Sequence, residues 1–244
     1  MFGRKSVIGI AVLCALALSA LTAANAAAEQ RAFTCAPTGT GFSDAHCTSP
    51  SGAGKFSHVA IETGVETEIS GTNEKTASET TAAAVSKLKG ALSGVETEIQ
   101  CTVIDVHGIL TNTPTSLHFL PILITYTTCS VTKPAGKGCK VSGGEVKTKE
   151  LTATTVGQAE NNVKVTPLEG TEFASIKIEG CSNEALNNTF PVTGSVTVTA
   201  NGATASTTHT GVTAQNTLKF GGVKAGLEGA ATISRKEGNP ITLT

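Results

Sequence analysis

The chain of 244 residues has no tryptophan, one tyrosine and one methionine. Carbohydrate modules commonly stack flat aromatic faces on sugar rings. With one tyrosine and eight phenylalanines, an aromatic-platform sugar module is not expected; a hydrogen-bonding one stays open. Charge is scarce as well. Only 15% of residues are charged, and 18 basic side chains stand against 19 acidic ones. Nucleic-acid affinity rests on neutralising phosphates, so a chain without a basic surplus lacks that footprint. The same balance leaves no polybasic patch for an anionic membrane. No C-x-x-C pair and no histidine pair at ligand spacing occurs, so no metal and no cofactor is expected. Past the N-terminal region the longest apolar stretch, Leu117 to Ile124, falls far short of the ~20 residues needed to cross a bilayer as a helix.

What is there is small and β-branched. Threonine numbers 39 and glycine 26, and the bulky apolar residues are mostly Val, Ile and Leu. Low charge with 39% hydrophobic residues excludes a typical disordered chain, and the bias favours strands. Arg4 and Lys5 precede an apolar run from Ser6 to Leu21, and Ala24-Asn25-Ala26 follows as a small-x-small cleavage pattern. The expectation is a secretory signal peptide over 1–26. Cys14 follows Leu13 inside the apolar run, which is not the setting of a lipid-attachment cysteine. Loss of Arg4 and Lys5 leaves a mildly acidic mature chain. No membrane association is expected after cleavage.

Six cysteines then remain, Cys35, Cys47, Cys101, Cys129, Cys139 and Cys181. An even count in an exported chain reads as a disulfide framework whose connectivity spacing does not determine. Nearness in sequence suggests Cys35 with Cys47 and Cys129 with Cys139, which leaves Cys101 with Cys181.

Residues 27–55 read as a loop-rich leader pinned by a local disulfide. From Phe56 short β-type runs alternate with turn residues to the end at 244, as one β domain. Strands are expected to begin near Phe56, Val65, Val85, Val95, Leu117, Val146, Val163, Phe173, Val192, Ala203, Thr217 and Ala225. The best helical stretch, Glu79 to Leu92, lacks an apolar stripe at helical spacing. Asn201-Gly202 lies between alternating runs and signals a two-residue hairpin turn. That turn would pair Thr199 with Thr204 and Thr197 with Ser206, with the hydroxyls on a wet face and Val196, Val198 and Ala200 on a buried one. Gly64-Val-Glu-Thr-Glu-Ile69 recurs as Gly94-Val-Glu-Thr-Glu-Ile99, which suggests two equivalent strands.

Signals for chemistry are thin. Asp105 and His107 share a strand face, as half of a hydrolase triad would, but no G-x-S-x-G elbow accompanies them. Ser51-Gly-Ala-Gly-Lys55 misses the phosphate-loop pattern at Ser49 and at Phe56. Glu66 with Glu68, and Glu96 with Glu98, are spaced as a solvated face rather than as a glycosidase pair. Thr197-Val-Thr199 is one unit of an ice-binding row without the array. Pro121 inside Leu117–Ile124 cannot donate to a ladder, so an edge strand or a bulge is expected there. Asn239-Pro-Ile-Thr242 has the look of a wall-sorting signal but has no apolar span after it.

Several runs carry a family resemblance. They are Gly94-Val-Glu-Thr-Glu-Ile-Gln-Cys-Thr102, Tyr126-Thr-Thr-Cys-Ser-Val-Thr-Lys-Pro-Ala-Gly-Lys-Gly-Cys-Lys-Val141, Thr148-Lys-Glu-Leu-Thr-Ala-Thr-Thr-Val-Gly-Gln158, Asn187-Asn-Thr-Phe-Pro-Val-Thr-Gly-Ser-Val196 and Leu218-Lys-Phe-Gly-Gly222. The region 90–241 resembles a paralogous group of secreted Thr/Gly-rich β proteins from soil-dwelling, high-GC Gram-positive bacteria. The resemblance implies export and β character and carries no catalytic residues.

The expected fold is all-β, a mainly antiparallel β-sandwich or partly closed β-barrel stapled by disulfides. The leading functional expectation is a secreted, non-enzymatic protein with a structural or interaction role at the cell surface, through a cell-envelope polymer or self-association. The alternative is an extracellular polysaccharide- or small-ligand-binding module. A secreted hydrolase ranks below both.

Overall fold

The structure is a computed structural model. It describes residues 31–45, 47, 49–73, 85–114, 116–156, 162–201, 204–208, 216–236 and 241–243. The expected signal segment lies outside these, as do residues 79–84 of the best helical stretch; the remainder of that stretch, Ser86–Leu92, is a strand. The described chain forms eighteen strands and two single-turn 3-10 segments. In order they are β1 (Ala32–Ala36), β2 (Ser57–Ala60), β3 (Glu66–Asn73), β4 (Ser86–Leu92), β5 (Val95–Asn112), β6 (Leu117–Lys133), β7 (Lys140–Val141), β8 (Glu145–Lys147) and β9 (Leu151–Val156). Then come β10 (Asn162–Pro167), β11 (Glu172–Glu179), β12 (Thr189–Thr193), β13 (Val196–Asn201), β14 (Thr204–Thr208), β15 (Lys219–Phe220), β16 (Val223–Lys224), β17 (Gly226–Arg235) and β18 (Ile241–Leu243).

The main sheet closes on itself. β5 pairs with β3, β3 with β17, β17 with β14, β14 with β13, β13 with β10, β10 with β9, β9 with β6, and β6 with β5 again, all antiparallel. Eight positions thus make a barrel, which leaves no open sheet edge around the ring. β4 shares a position with β3: it pairs with β5 over 95–101 and with β17 over 226–228, where β3 does not reach.

β4, β5 and β6 run on past the barrel. There their inner faces pack with a second sheet, β16-β15-β12-β11-β7. Phe220 of β15, fully buried, lies against Gly90 of β4, where a Cβ would stand 3.3 Å from its ring. The chain is therefore a barrel at one end and a two-layer sandwich at the other, around one continuous apolar cluster. β18, β1 and β2 form a small third sheet. It sends Ile241 and Leu243 into the barrel lumen.

The bridges join Cys35 to Cys47, Cys101 to Cys129, and Cys139 to Cys181. The first matches the expectation from nearness; the other two correct it. Cys101 and Cys129 face each other directly across the β5–β6 ladder. A strand pair brings residues 28 apart to a Cα separation of 4.0 Å, which linear distance conceals. Cys139 instead meets Cys181 because Gly138 and Gly180 bring two backbones together, with the Ser182 N–H donating to the Lys137 carbonyl at 2.8 Å.

Other differences have local causes. The hairpin between β13 and β14 is present with a moved register: Asn201, expected in the turn, ends β13 and pairs with Thr204, and Thr199 pairs with Ser206. A two-residue shift preserves the faces, because the side-chain period is two. Thr197, expected wet, is buried, as is Ser195; Thr217 covers Ser195, with its hydroxyl 3.1 Å from the Ser195 hydroxyl. Pro121 sits at a bulge and not at an edge, since β6 there pairs with both β5 and β9, each with a register shift. The echoed segments are equivalent strand starts, with Thr67 and Ile69, and Thr97 and Ile99, facing inward.

The strands the pattern missed include β1, inside the stretch expected to be loop. A fully buried Asn112 holds it. The side-chain oxygen accepts from the Ala32 N–H (3.0 Å), and the amide group donates to the carbonyls of Ala32 (3.1 Å) and Ile61 (2.7 Å).

Asn112→Ala removes three buried hydrogen bonds, while the Ala32 carbonyl keeps the Ile61 N–H at 3.1 Å, so chemical denaturation should show a loss of about 3 kcal/mol. Replacing Cys101 and Cys129 together by alanine removes a closed loop and should cost about 3.5 kcal/mol in the same assay. A loss under about 1 kcal/mol would show that the strand pair holds without its bridge.

Candidate functional site

Inward positions of the barrel carry Val and Ile interleaved with very small residues. Ala153 of β9, Ala200 of β13 and Ala231 of β17 are buried and face the centre. Eight strands enclose room for filled side chains or for one small ligand. Small residues at these positions leave the middle open. The result is a cavity of about 150 Å³ walled almost wholly by apolar side chains, among them Ile104, Val106, Ile122 and Val165. An apolar cavity of about this volume, built into another protein, stays dry and takes up benzene.

A second cavity of about 50 Å³ lies toward the sandwich. Ser86, Tyr126, Phe173 and Leu227 line both spaces and form the partition between them. Phe173 reaches this position because β11 bulges between Glu172 and Ala174. Tyr126 follows the inward parity of β6 and sits opposite Ile104. The ring is partly buried and lines both cavities. Burial pushes its hydroxyl up to about 12, because a phenolate there would lose its hydration. At the rim, Glu228 is held by Lys89, with the ammonium 2.5 Å from Oε1.

The polar residues singled out in the sequence lie elsewhere. Asp105 and His107 point outward from β5, on the face opposite Ile104 and Val106, and their side chains meet at 3.2 Å in open solvent. Glu96 pairs with Lys133 at 2.6 Å, Glu98 accepts from the Thr132 hydroxyl at 2.7 Å, and Glu68 pairs with Lys236. These are ties on the outer wall. In the 51–55 loop the Gly54 and Lys55 amides donate to the backbone carbonyls of Ser51 and Phe42, so these amides are already engaged. Thr197 is buried, while the Thr199 hydroxyl donates to the Asn162 side chain at 2.7 Å. All six cysteines among the described residues are bridged.

Of the cavity residues the sequence pattern marked Val196, Val198 and Ala200 as a buried face, but Ser86, Ala153 and Ala231 carry no motif. The single usable sign was parity: the lone tyrosine falls on the inward face of the longest apolar strand.

Tyr126 is the only tyrosine and the chain has no tryptophan, so ultraviolet absorbance of tyrosinate reports this residue alone. The unfolded chain loses the phenol proton near the ordinary value, about 10; the folded chain holds it to about 12. Between these values the native state binds more protons. Stability should therefore fall as pH rises through that window, and Tyr126→Phe should flatten the fall. An ordinary titration midpoint in the folded protein would place the ring in contact with bulk water. Comparisons with known protein families, with curated proteins and with solved structures find no match for this chain.

Proposed function

We propose that this chain is an extracellular binding protein that holds a small apolar molecule inside its barrel. The observation that carries the reading is the dry-walled cavity of about 150 Å³ at the barrel centre. Export is supported by the N-terminal Arg4–Ala26 pattern and by three disulfides, which persist in oxidising compartments. A polysaccharide is a poor match to this interior, because its hydroxyls would be buried without partners. Self-association through Leu117–Ile124 loses its route, because both ladder edges of that segment are occupied in the ring.

The test uses toluene as the probe, with calorimetric titration and thermal melting of the mature protein. Saturable binding with a rise in Tm is expected, since a ligand held only by the native state stabilises it. Ala153→Leu pushes a larger side chain into the cavity and should abolish binding while the variant stays folded. A wild-type protein that neither binds toluene nor shifts its Tm overturns the reading.

A further inference from the structure

We infer that the molecule held in the barrel is a small neutral alcohol or phenol, and that Ser86 receives its hydroxyl. The inference rests on the binding reading above and adds the chemistry of the ligand's head.

Ser86 is the first residue of β4 and is 4% exposed. Among the described residues its hydroxyl has no hydrogen-bond partner. Buried hydroxyls are nearly always partnered, because an unmet one loses water and gains nothing. The inward positions that follow on β4 are the apolar Leu88 and Leu92, so a serine at the first is out of keeping with simple core packing. It also lies where the two cavities meet.

The wall beside it is left open in a specific way. β17 pairs with β4 up to Glu228 and with β3 from Ala231. Gly229 stands in the interval. A Cβ built there would come within 2.7 Å of the Ser86 Oγ. Glycine at 229 therefore gives the Ser86 hydroxyl its room, and any side chain there would crowd it. On the facing strand, β5 passes from β4 to β3 between Cys101 and Asp105. There the Asn73 side chain takes up the Ile104 N–H at 2.6 Å, so that amide is already satisfied. The Ser86 hydroxyl is the polar atom left facing the cavity without a partner among the described residues.

Volume and charge narrow the class. A space that suits benzene holds about six to eight non-hydrogen atoms. Tyr126, on the same partition, has its ionisation suppressed by burial, and the same surroundings would penalise any charged head. Glu228 is already held by Lys89. A hydrocarbon body with one hydroxyl fits both demands. Its body fills the lumen, and its hydroxyl exchanges a hydrogen bond with Ser86.

Calorimetry with phenol and toluene on wild type, Ser86→Ala and Gly229→Ala tests this. Ser86→Ala removes an unmet hydroxyl, so it should fold and melt no lower than wild type. It should weaken phenol about tenfold and leave toluene unchanged. Gly229→Ala should weaken phenol by crowding Oγ, again with toluene less affected. If wild type binds toluene and Ser86→Ala leaves phenol affinity unaltered, or weakens both probes alike, the head-group assignment is overturned and the apolar cavity reading survives. If wild type binds neither probe, both readings fall together.

Discussion

β5 and β6, 18 and 17 residues long, pair along nearly their whole length, and every other part of the fold hangs on that ladder. Its upper half supplies two of the eight barrel positions, and its lower half supplies the floor of the sandwich. The Cys101–Cys129 bridge crosses it where one architecture gives way to the other. Strands this long twist, and a flat pair would neither close nor pack. The register shifts at 98–99 and 108–110 let the ladder bend, as bulges do. At the second bend Gly108 is required, since a Cβ would press to 2.8 Å on the Pro121 carbonyl. Pro121, which lacks a ladder donor, sits at the same irregularity.

Closure also explains how a Thr/Gly-rich chain keeps a dry interior. Threonine is tolerated on the outside of a strand and favoured there by β propensity, while the inward parity is mostly Val, Ile, Leu and a few alanines, with buried threonines such as Thr67 and Thr97 among them. Interiors of proteins are normally packed to crystal-like density. The alanines at 153, 200 and 231 break that rule at one level of the barrel, and the cavity is the consequence. Ring closure keeps such a space from water without a large core around it. The third sheet helps, because β18 places Ile241 and Leu243 over the lumen while Asn112 ties down its neighbour β1.

The three bridges sit at three different joints. Cys35–Cys47 closes the polar segment ahead of β2, Cys101–Cys129 locks the central ladder, and Cys139–Cys181 fastens β7 to the end of β11. Strands rich in threonine and glycine bury little apolar area each, so constraining the unfolded chain contributes a large share of net stability. Such a framework suits an oxidising compartment and leaves the lumen free of thiols.

Much of the fold was legible in the residues themselves. Period-two alternation marked Val196–Ala200, the repeated Gly-Val-Glu-Thr-Glu-Ile marked two equivalent strand starts, and Asn201-Gly202 marked a hairpin, because these signals act between neighbours in the chain. The β class, the strand faces and the exposure of Asp105, His107 and the paired glutamates follow from local pattern and charge. Partner choice does not. Cys129 lies ten residues from Cys139 and still pairs with Cys101, because cross-strand register, and not linear distance, sets which sulfurs meet. Only closure of the ring decided that Ser86 faces Gly229, that Tyr126 lines the cavity, and that three alanines distant in sequence border one empty space. Those relations come from ladder pairings between remote segments, and no single segment's composition contains them.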